Sequence, residues 1–401
     1  MSDMQRLMAL LESAKLLHPV SDALSIVDFA NALHSVMGIP DVPLNEKAVA
    51  IKGLIGEHEH LVLVMADGFG MNFVEGLEGD AFIPSHLAAE MRTVFPSTTP
   101  IALTSLATGD WPRAHGVIGW FVKLTEIDAI STIISYVRTS DKKPLSELGA
   151  GVEDAYSLPS RIGDATREAF HILPEQIAGS VYSNYWAGGV SQSGYDVKSP
   201  EQGVRMALEA VRAARSPTFV YLYLPQVDGL AHKLGASDEA TLNAAVQVDK
   251  LLGTLATELP SNARMVMTAD HGHLDALPHS SYSLTASDEI VRLCDGALTG
   301  DQRAIYAHVV KGKIDDFKEA VHRRCGSDFL VLTAEEVEAA RLLGAGALSV
   351  NTRYRMGNAL VLSTGNAVLD YRAVVGDDPN PIVSHHGGLT PNEMRIPLVT
   401  A

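Results

Sequence analysis

Three short, almost uninterrupted apolar runs recur along the chain, HLVLVMADG at 60–68, TFVYLYLPQVDG at 218–229 and ARMVMTADHGH at 263–273. Each stops at an aspartate. Runs this short and this apolar are what strands covered on both faces of a parallel sheet require. Between them lie segments with apolar positions at helical spacing, PEQGVRMALEAVRAARS at 200–216 and SDEATLNAAVQVDKLLGTLATEL at 237–259. The first ends in basic residues and the second opens on Ser237 as a start signal. The alternation predicts an α/β fold with a central, mostly parallel sheet sandwiched by helices.

The pattern weakens in two places. Residues 121–198 read as an insertion, and residues 275–380, with AIYAHVV, FLVLTAEEVEAARLLG and NALVLSTGNAVLDYR, read as an inserted α+β cap. The expected core is then 1–274 together with 381–401. The first twenty residues carry apolar positions at helical spacing broken by Arg6, Glu12 and Lys15, which predicts an amphipathic helix and not a signal peptide.

One stretch raises a different question. FPSTTPIALTSLATG at 95–109 sets two threonines before a proline and a run of small apolar residues. Thr99 is expected as the N-cap and Pro100 as the first helical residue, which puts a hydroxyl at the positive end of a helix dipole.

Composition narrows the partners. Hydrophobic residues make up 46% and charged residues 20%, and 48 acidic side chains against 31 basic ones give a net charge of −17. Such a surface repels a nucleic-acid backbone, so no nucleic-acid polymer is expected. No apolar run is long enough to span a membrane, and the chain is expected to be cytoplasmic. The two cysteines, Cys294 and Cys325, are too few for a disulfide framework or a thiolate metal site, so any metal falls to His and carboxylate ligands.

Four polar clusters supply such ligands. Asp67 closes the first apolar run, where an Asp-Gly also serves as an ordinary turn. Asp228 and His232 are spaced i, i+4, which on a helix sets both on one face, either as a hydrogen-bonded pair or as two ligands of one ion. Asp270-His271-Gly272-His273 follows the third run directly, and a charge there must be paired. Ser384-His385-His386-Gly387-Gly388 completes the set, with one of its histidines free to be a plain loop residue. Oxygen and nitrogen ligands in these numbers suit two divalent ions, zinc above all and also manganese. Paired ions are the usual device for displacement at phosphorus.

In order and spacing these motifs resemble the alkaline phosphatase superfamily, and within it the nucleotide pyrophosphatase/type I phosphodiesterase branch. The resemblance runs from LVLVMADGFG through FPSTTPIALTSLATG, PQVDGLAH and TADHGH to HHGGLTPNEMRIPLV. It implies Thr99 as the nucleophile, in contact with a metal held by Asp67, Asp270 and His271. It implies Asp228, His232 and His386 as ligands of the other metal. The branch's asparagine donor after the nucleophile helix is replaced by Trp120, while the arginine of classical alkaline phosphatases and the sulfatase signature are absent. Phosphonoacetate hydrolases share the ligand plan.

The expected activity is therefore metal-dependent hydrolysis of a small phosphate ester, as a phosphodiesterase or nucleotide pyrophosphatase. A phosphomonoesterase or phosphonoacetate-type hydrolase is the alternative on the same site, and a non-catalytic binding protein the alternative of another class. Trp120, Phe121, Tyr185 and Trp186 are the expected substrate-binding aromatics, able either to stack on a ring or to pack against the cap.

Overall fold

The three apolar runs become neighbouring strands. His60–Ala66 and Thr218–Leu224 are buried at every position, and His60–Ala66 lies parallel to Thr218–Leu224 on one side and to Ala263–Thr268 on the other. The structure, a computed structural model, describes residues 1–377 and 380–401. Around the three strands an eight-stranded sheet is built in which only Arg395–Thr400 runs antiparallel to its neighbours. Helices Ile26–Val36, Glu46–Ile55 and Thr99–Thr108 pack as one group and Pro200–Ala213 against Glu239–Glu258 as another. The α/β architecture with a mostly parallel sheet is the expected one. The helix at 239–258 is capped by Asp238, whose side chain accepts from the Ala240 N–H, and not by Ser237.

The boundaries differ from the sequence reading in two respects. Glu168–Pro174 and Gln192–Tyr195, assigned above to an insertion, are parallel edge strands of the central sheet, extending it past Thr218–Leu224. The first strands of that segment join the cap, while Tyr156, Ile162, Tyr182 and Trp186 pack on the central core. Phe121–Leu124, Ala129–Thr132 and Val137–Arg138 complete a seven-stranded antiparallel sheet with Cys294–Asp301, Ala304–Val309, Phe329–Thr333 and Ala359–Ser363. Side chains alternate across this second sheet. Tyr306, Leu330, Leu332, Leu360 and Leu362 enter one apolar cluster, while Ile305, Phe329, Val331 and Val361 enter another. The amphipathic helix Asp3–Glu12 covers the first face through Leu7, and Asp3 accepts from the Val331 N–H, so the amino terminus packs on the cap and not on the core.

One buried ion pair joins the two bodies. Arg303, at the turn between Cys294–Asp301 and Ala304–Val309, donates to both oxygens of Glu393 at 2.6 and 2.9 Å, with neither side chain exposed. Glu393 also accepts from the Gly388 and Thr390 N–H groups and the Thr390 hydroxyl, so every lone pair is used. Arg303 spends its remaining donors on the Ala367 and Gly365 carbonyls. A pair so fully satisfied does not leave either charge uncompensated.

His34, His115 and His171 lie buried away from these clusters. Burial holds His34 and His171 down at about 4 and His115 at about 3, against an ordinary 6.5. His171, ringed by Trp186, Phe219 and Tyr221, has no hydrogen-bond partner on either nitrogen. All three are neutral when folded and protonate near 6.5 when unfolded, so the stability that depends on them is complete above that pH and is lost as pH falls toward 4. Each contributes a slope of up to about 1.4 kcal/mol per pH unit in that window. His171→Phe should flatten the dependence of the urea midpoint on pH between about 7 and about 5 relative to the parent.

Candidate active site

Every acidic group that ends an apolar strand arrives at the same edge of the central sheet. Asp67 follows His60–Ala66, Asp270 follows Ala263–Thr268, and Asp228 sits in the first turn of Gln226–Leu234, one residue of linker beyond Thr218–Leu224. In an open α/β sheet this carboxyl edge is where the strands leave a crevice. His386 follows the two-residue strand Ser384–His385, which pairs with Leu274–Asp275. The segment before the Thr99 helix is tied to the same loop. Ser97 donates to the Gly388 carbonyl and accepts from the Gly387 N–H, and the Ser97 carbonyl faces His386 Nδ1 at 3.1 Å.

The helix begins one residue earlier than the sequence suggested. Thr98, extended at φ −141° and ψ 150°, is its N-cap, and Thr99 is the first helical residue with Pro100 second. The Thr98 carbonyl takes the N–H groups of both Ile101 and Ala102, which fixes it as the start of the ladder. Thr99 still stands at the positive end of the dipole, now with its own backbone inside the helix.

Two groups of ligand-type side chains flank Thr99. The first is Asp67, Asp270 and His271, all buried, with Thr99 Oγ1 3.1 Å from His271 Nε2 and 3.4 Å from Asp67 Oδ1. The second is Asp228, His232, His386 and, beyond the set expected from the sequence, His273. The His271 and His386 rings stack at 3.7 Å, so the groups share a wall.

Their electrostatics call for cations. Burial, and then the charges of Asp228 and Asp270, raise the Asp67 carboxyl well above its ordinary range, and only the Tyr223 hydroxyl donates to its second oxygen. Asp270 Oδ1 accepts from the Gly68 and His271 N–H groups, yet its Oδ2 is buried with no hydrogen-bond partner, His271 Nε2 standing 3.6 Å away. In the second group, His232 Nδ1 faces the Ser384 carbonyl at 2.9 Å and His386 Nδ1 faces the Ser97 carbonyl. Those carbonyls take the Nδ1 protons and leave lone pairs on the two Nε2 atoms, which are only 3.2 Å apart. Asp228 Oδ1 adds a third acceptor 3.2 Å from His232 Nε2. An orphan carboxylate oxygen in one group and converging lone pairs in the other both fit divalent ions. Against the cost of burial, His232 and His273 hold the Asp228 carboxyl well below its usual range, while burial drives His386 well down.

His273 was in view in the sequence but not selected. Its Nε2 meets Asp228 Oδ1 at 2.9 Å, its Nδ1 is buried without a partner, and a Cβ on Gly68 would come within 2.8 Å of the ring. Asp301 was missed outright. It comes from the cap, lies nearly covered, accepts from the Trp120 N–H at 3.2 Å, and burial pushes its carboxyl up to about 7.

The aromatic residues divide. A cavity of about 440 Å³ opens beside the Thr99–Thr108 helix at Leu103 and is walled by Trp120, Tyr182, Trp186, Tyr221 and Tyr223, the last being the residue bonded to Asp67. Trp120 and Trp186 line it. Phe121 and Tyr185 do not. Phe121 turns to the other side of its strand, into the cap cluster against Tyr371. Tyr185 lies one helical step from Trp186, stacks on Tyr156 at 4.3 Å and donates to the Leu158 carbonyl.

A mixed sheet with paired acid–histidine clusters about a helix-start hydroxyl defines a hydrolase of phosphoester bonds in the alkaline phosphatase superfamily. The chain belongs to the type I phosphodiesterase/nucleotide pyrophosphatase family, which its sequence matches over residues 61–325. No curated protein sequence matches it. Among solved structures it is similar to murine ectonucleotide pyrophosphatase/phosphodiesterase 5, with a TM-score of 0.62 and 15% identity over 84% of this chain and 87% of that one. The human phosphodiesterase 5 gives 0.61 and 16% over 85% and 87%. Phosphonoacetate hydrolase from Sinorhizobium meliloti 1021, in complex with phosphonoacetate, gives 0.57 and 17% over 84% and 89%. At such identities the likeness is one of fold.

If His273 orients Asp228, replacing it should weaken metal binding without removing a ligand. His273→Ala is expected to lower divalent-cation affinity by about 10- to 100-fold in a chelator competition.

Proposed function

We propose that the protein is a two-metal phosphodiesterase that forms a phosphothreonine at Thr99. The observation that carries the reading is the position of Thr99 Oγ1, at a helix start and 3.1 Å from His271 Nε2, between two clusters of metal-ligand type. Asp67, Thr99, Asp270 and His271 would hold one ion and Asp228, His232 and His386 the other, with zinc favoured by the mixed oxygen and nitrogen donors and manganese the alternative. Bound there, such ions lower the pKa of the Thr99 hydroxyl and neutralise charge on the phosphoryl oxygens.

The chain's own part is positioning. The helix holds the Thr99 oxygen for in-line attack, its bond to phosphorus forming as the bond to the departing alcohol breaks. With the Ile101 and Ala102 N–H groups taken by the Thr98 carbonyl and none on Pro100, the Thr99 N–H is the helix-start donor left for the developing oxyanion. Water then cleaves the phosphothreonine and restores the hydroxyl. His232 and His386 are kept in one orientation by the Ser384 and Ser97 carbonyls, and Tyr223 fixes Asp67.

The cavity favours an ester over a phosphonate. No charged side chain lines it. A carboxylate such as that of phosphonoacetate needs a cation to leave water, whereas a neutral ring carried by a diester is suited to Trp120, Trp186 and Tyr221. An inactive variant of the murine phosphodiesterase 5 has been solved in complex with AMP, a phosphate ester bearing such a ring.

Thr99→Ala is expected to cut hydrolysis of bis(p-nitrophenyl) phosphate by roughly three orders of magnitude or more, with metal content by mass spectrometry still near two per chain. Retained turnover would remove Thr99 as nucleophile. Thr98→Ser should keep most activity. On the unsubstituted protein, the aryl diester should be turned over faster than p-nitrophenyl phosphate, and phosphonoacetate not at all.

A further inference from the structure

The cap reaches the site at the end of Cys294–Asp301. The turn that carries Arg303 also carries Asp301, which is inserted among three segments of the site. The Trp120 N–H donates to Asp301 Oδ2 at 3.2 Å. The Thr98 hydroxyl, fully buried and without a hydrogen-bond partner, lies close to the same carboxyl. Gly387, directly after His386, has φ +108°, and a Cβ there would stand 3.0 Å from Asp301 Cβ.

The backbone around this contact is closed to the same tolerance. A Cβ on Gly119 would lie 2.3 Å from Gly300 Cα, so the loop leading to Trp120 and the strand end leading to Asp301 touch main chain to main chain. Gly300 in turn pairs with Phe121. A single carboxyl is thus shared by the N-cap of the nucleophile helix and the Trp120 wall of the cavity, and it packs against the His386 loop.

We propose that Asp301 is a positioning residue, contributed by the cap, which holds Thr98 and Trp120 at a fixed separation and so sets the distance between the attacking hydroxyl and the wall against which the substrate's ester group lies. The proposal rests on the phosphodiesterase reading for its kinetic consequence but not for its structural one. Asp301 does not touch the reacting atoms in this role. It acts through the Trp120 amide and the Thr98 hydroxyl, and what it needs is an acceptor at Oδ2 and not a charge.

Two variants separate this role from a merely structural one. Asp301→Ala removes the acceptor, while Asp301→Asn keeps an amide oxygen for the Trp120 N–H and offers an N–H₂ to the Thr98 hydroxyl. Hydrogen exchange at the Trp120 amide, read by mass spectrometry, requires no substrate. It should quicken at least tenfold in Asp301→Ala and stay close to the parent in Asp301→Asn. In kinetics with metal in excess, phenyl p-nitrophenyl phosphate and methyl p-nitrophenyl phosphate share a leaving group but fill the cavity differently. Asp301→Ala should reduce the ratio of their kcat/KM values by about tenfold, and Asp301→Asn should restore it.

Unchanged exchange at Trp120 in Asp301→Ala would overturn the proposal, as would an equal loss on both substrates or a failure of Asp301→Asn to rescue. If the unsubstituted protein turned over neither ester, the phosphodiesterase reading would fall, and the exchange data would still decide whether Asp301 pins Trp120.

Discussion

Asp67, Asp228 and Asp270 cannot share one sheet edge as anions without cations to hold them. Asp67 and Asp270 are almost wholly covered, and the charges of Asp228 and Asp270 already push the Asp67 carboxyl far up. Like charges brought together out of water are among the most costly arrangements a fold can adopt. The surrounding structure is arranged to tolerate them. Tyr223, the Gly68 N–H and the His271 N–H each serve one oxygen, imidazole rings face the rest, and Asp270 Oδ2 is left open. Strand order, the short loops after each strand and the stacked His271 and His386 rings all follow from the need to converge these groups on one crevice.

That constraint is also why much of the site is legible in the sequence. A charged residue directly after an apolar strand has no packing explanation, so Asp67 and Asp270 stand out, and an i, i+4 Asp–His pair on a helical turn does the same for Asp228 and His232. Periodicity likewise reveals the central strands and the helices at 200–213 and 239–258. What stays hidden is what depends on a distant partner. Asp301 meets Trp120 across 181 positions and Arg303 meets Glu393 across 90, and no local pattern marks either. The aromatics fail for a smaller reason. Trp120 and Phe121, or Tyr185 and Trp186, are adjacent in sequence, but adjacency in a strand or a helix sends side chains to different sides. The N-cap moved by one residue because either threonine satisfies the same start signal, and only the bonds from Ile101 and Ala102 to the Thr98 carbonyl decide between them.

The cap illustrates the limit of reading bodies from segments. Its sheet draws strands from both sides of the core's own edge strands, and its inner face is finished by the amino-terminal helix. A stretch of mixed pattern can be recognised as an insertion. Which pieces of several such stretches close into one sheet is settled by cross-strand pairing, which leaves no trace in either piece alone.

The Arg303–Glu393 pair gives this division into bodies an asymmetric character. Glu393 sits seven residues after His386 in the loop that completes the core, and its counter-charge belongs to the cap. A core inherited without its cap would bury an unpaired carboxylate beside its own site, and a cap grafted elsewhere would carry a naked guanidinium. The two must therefore change together, whereas Tyr182, Trp186 and Tyr221 in the cavity wall have no counter-charge in the other body.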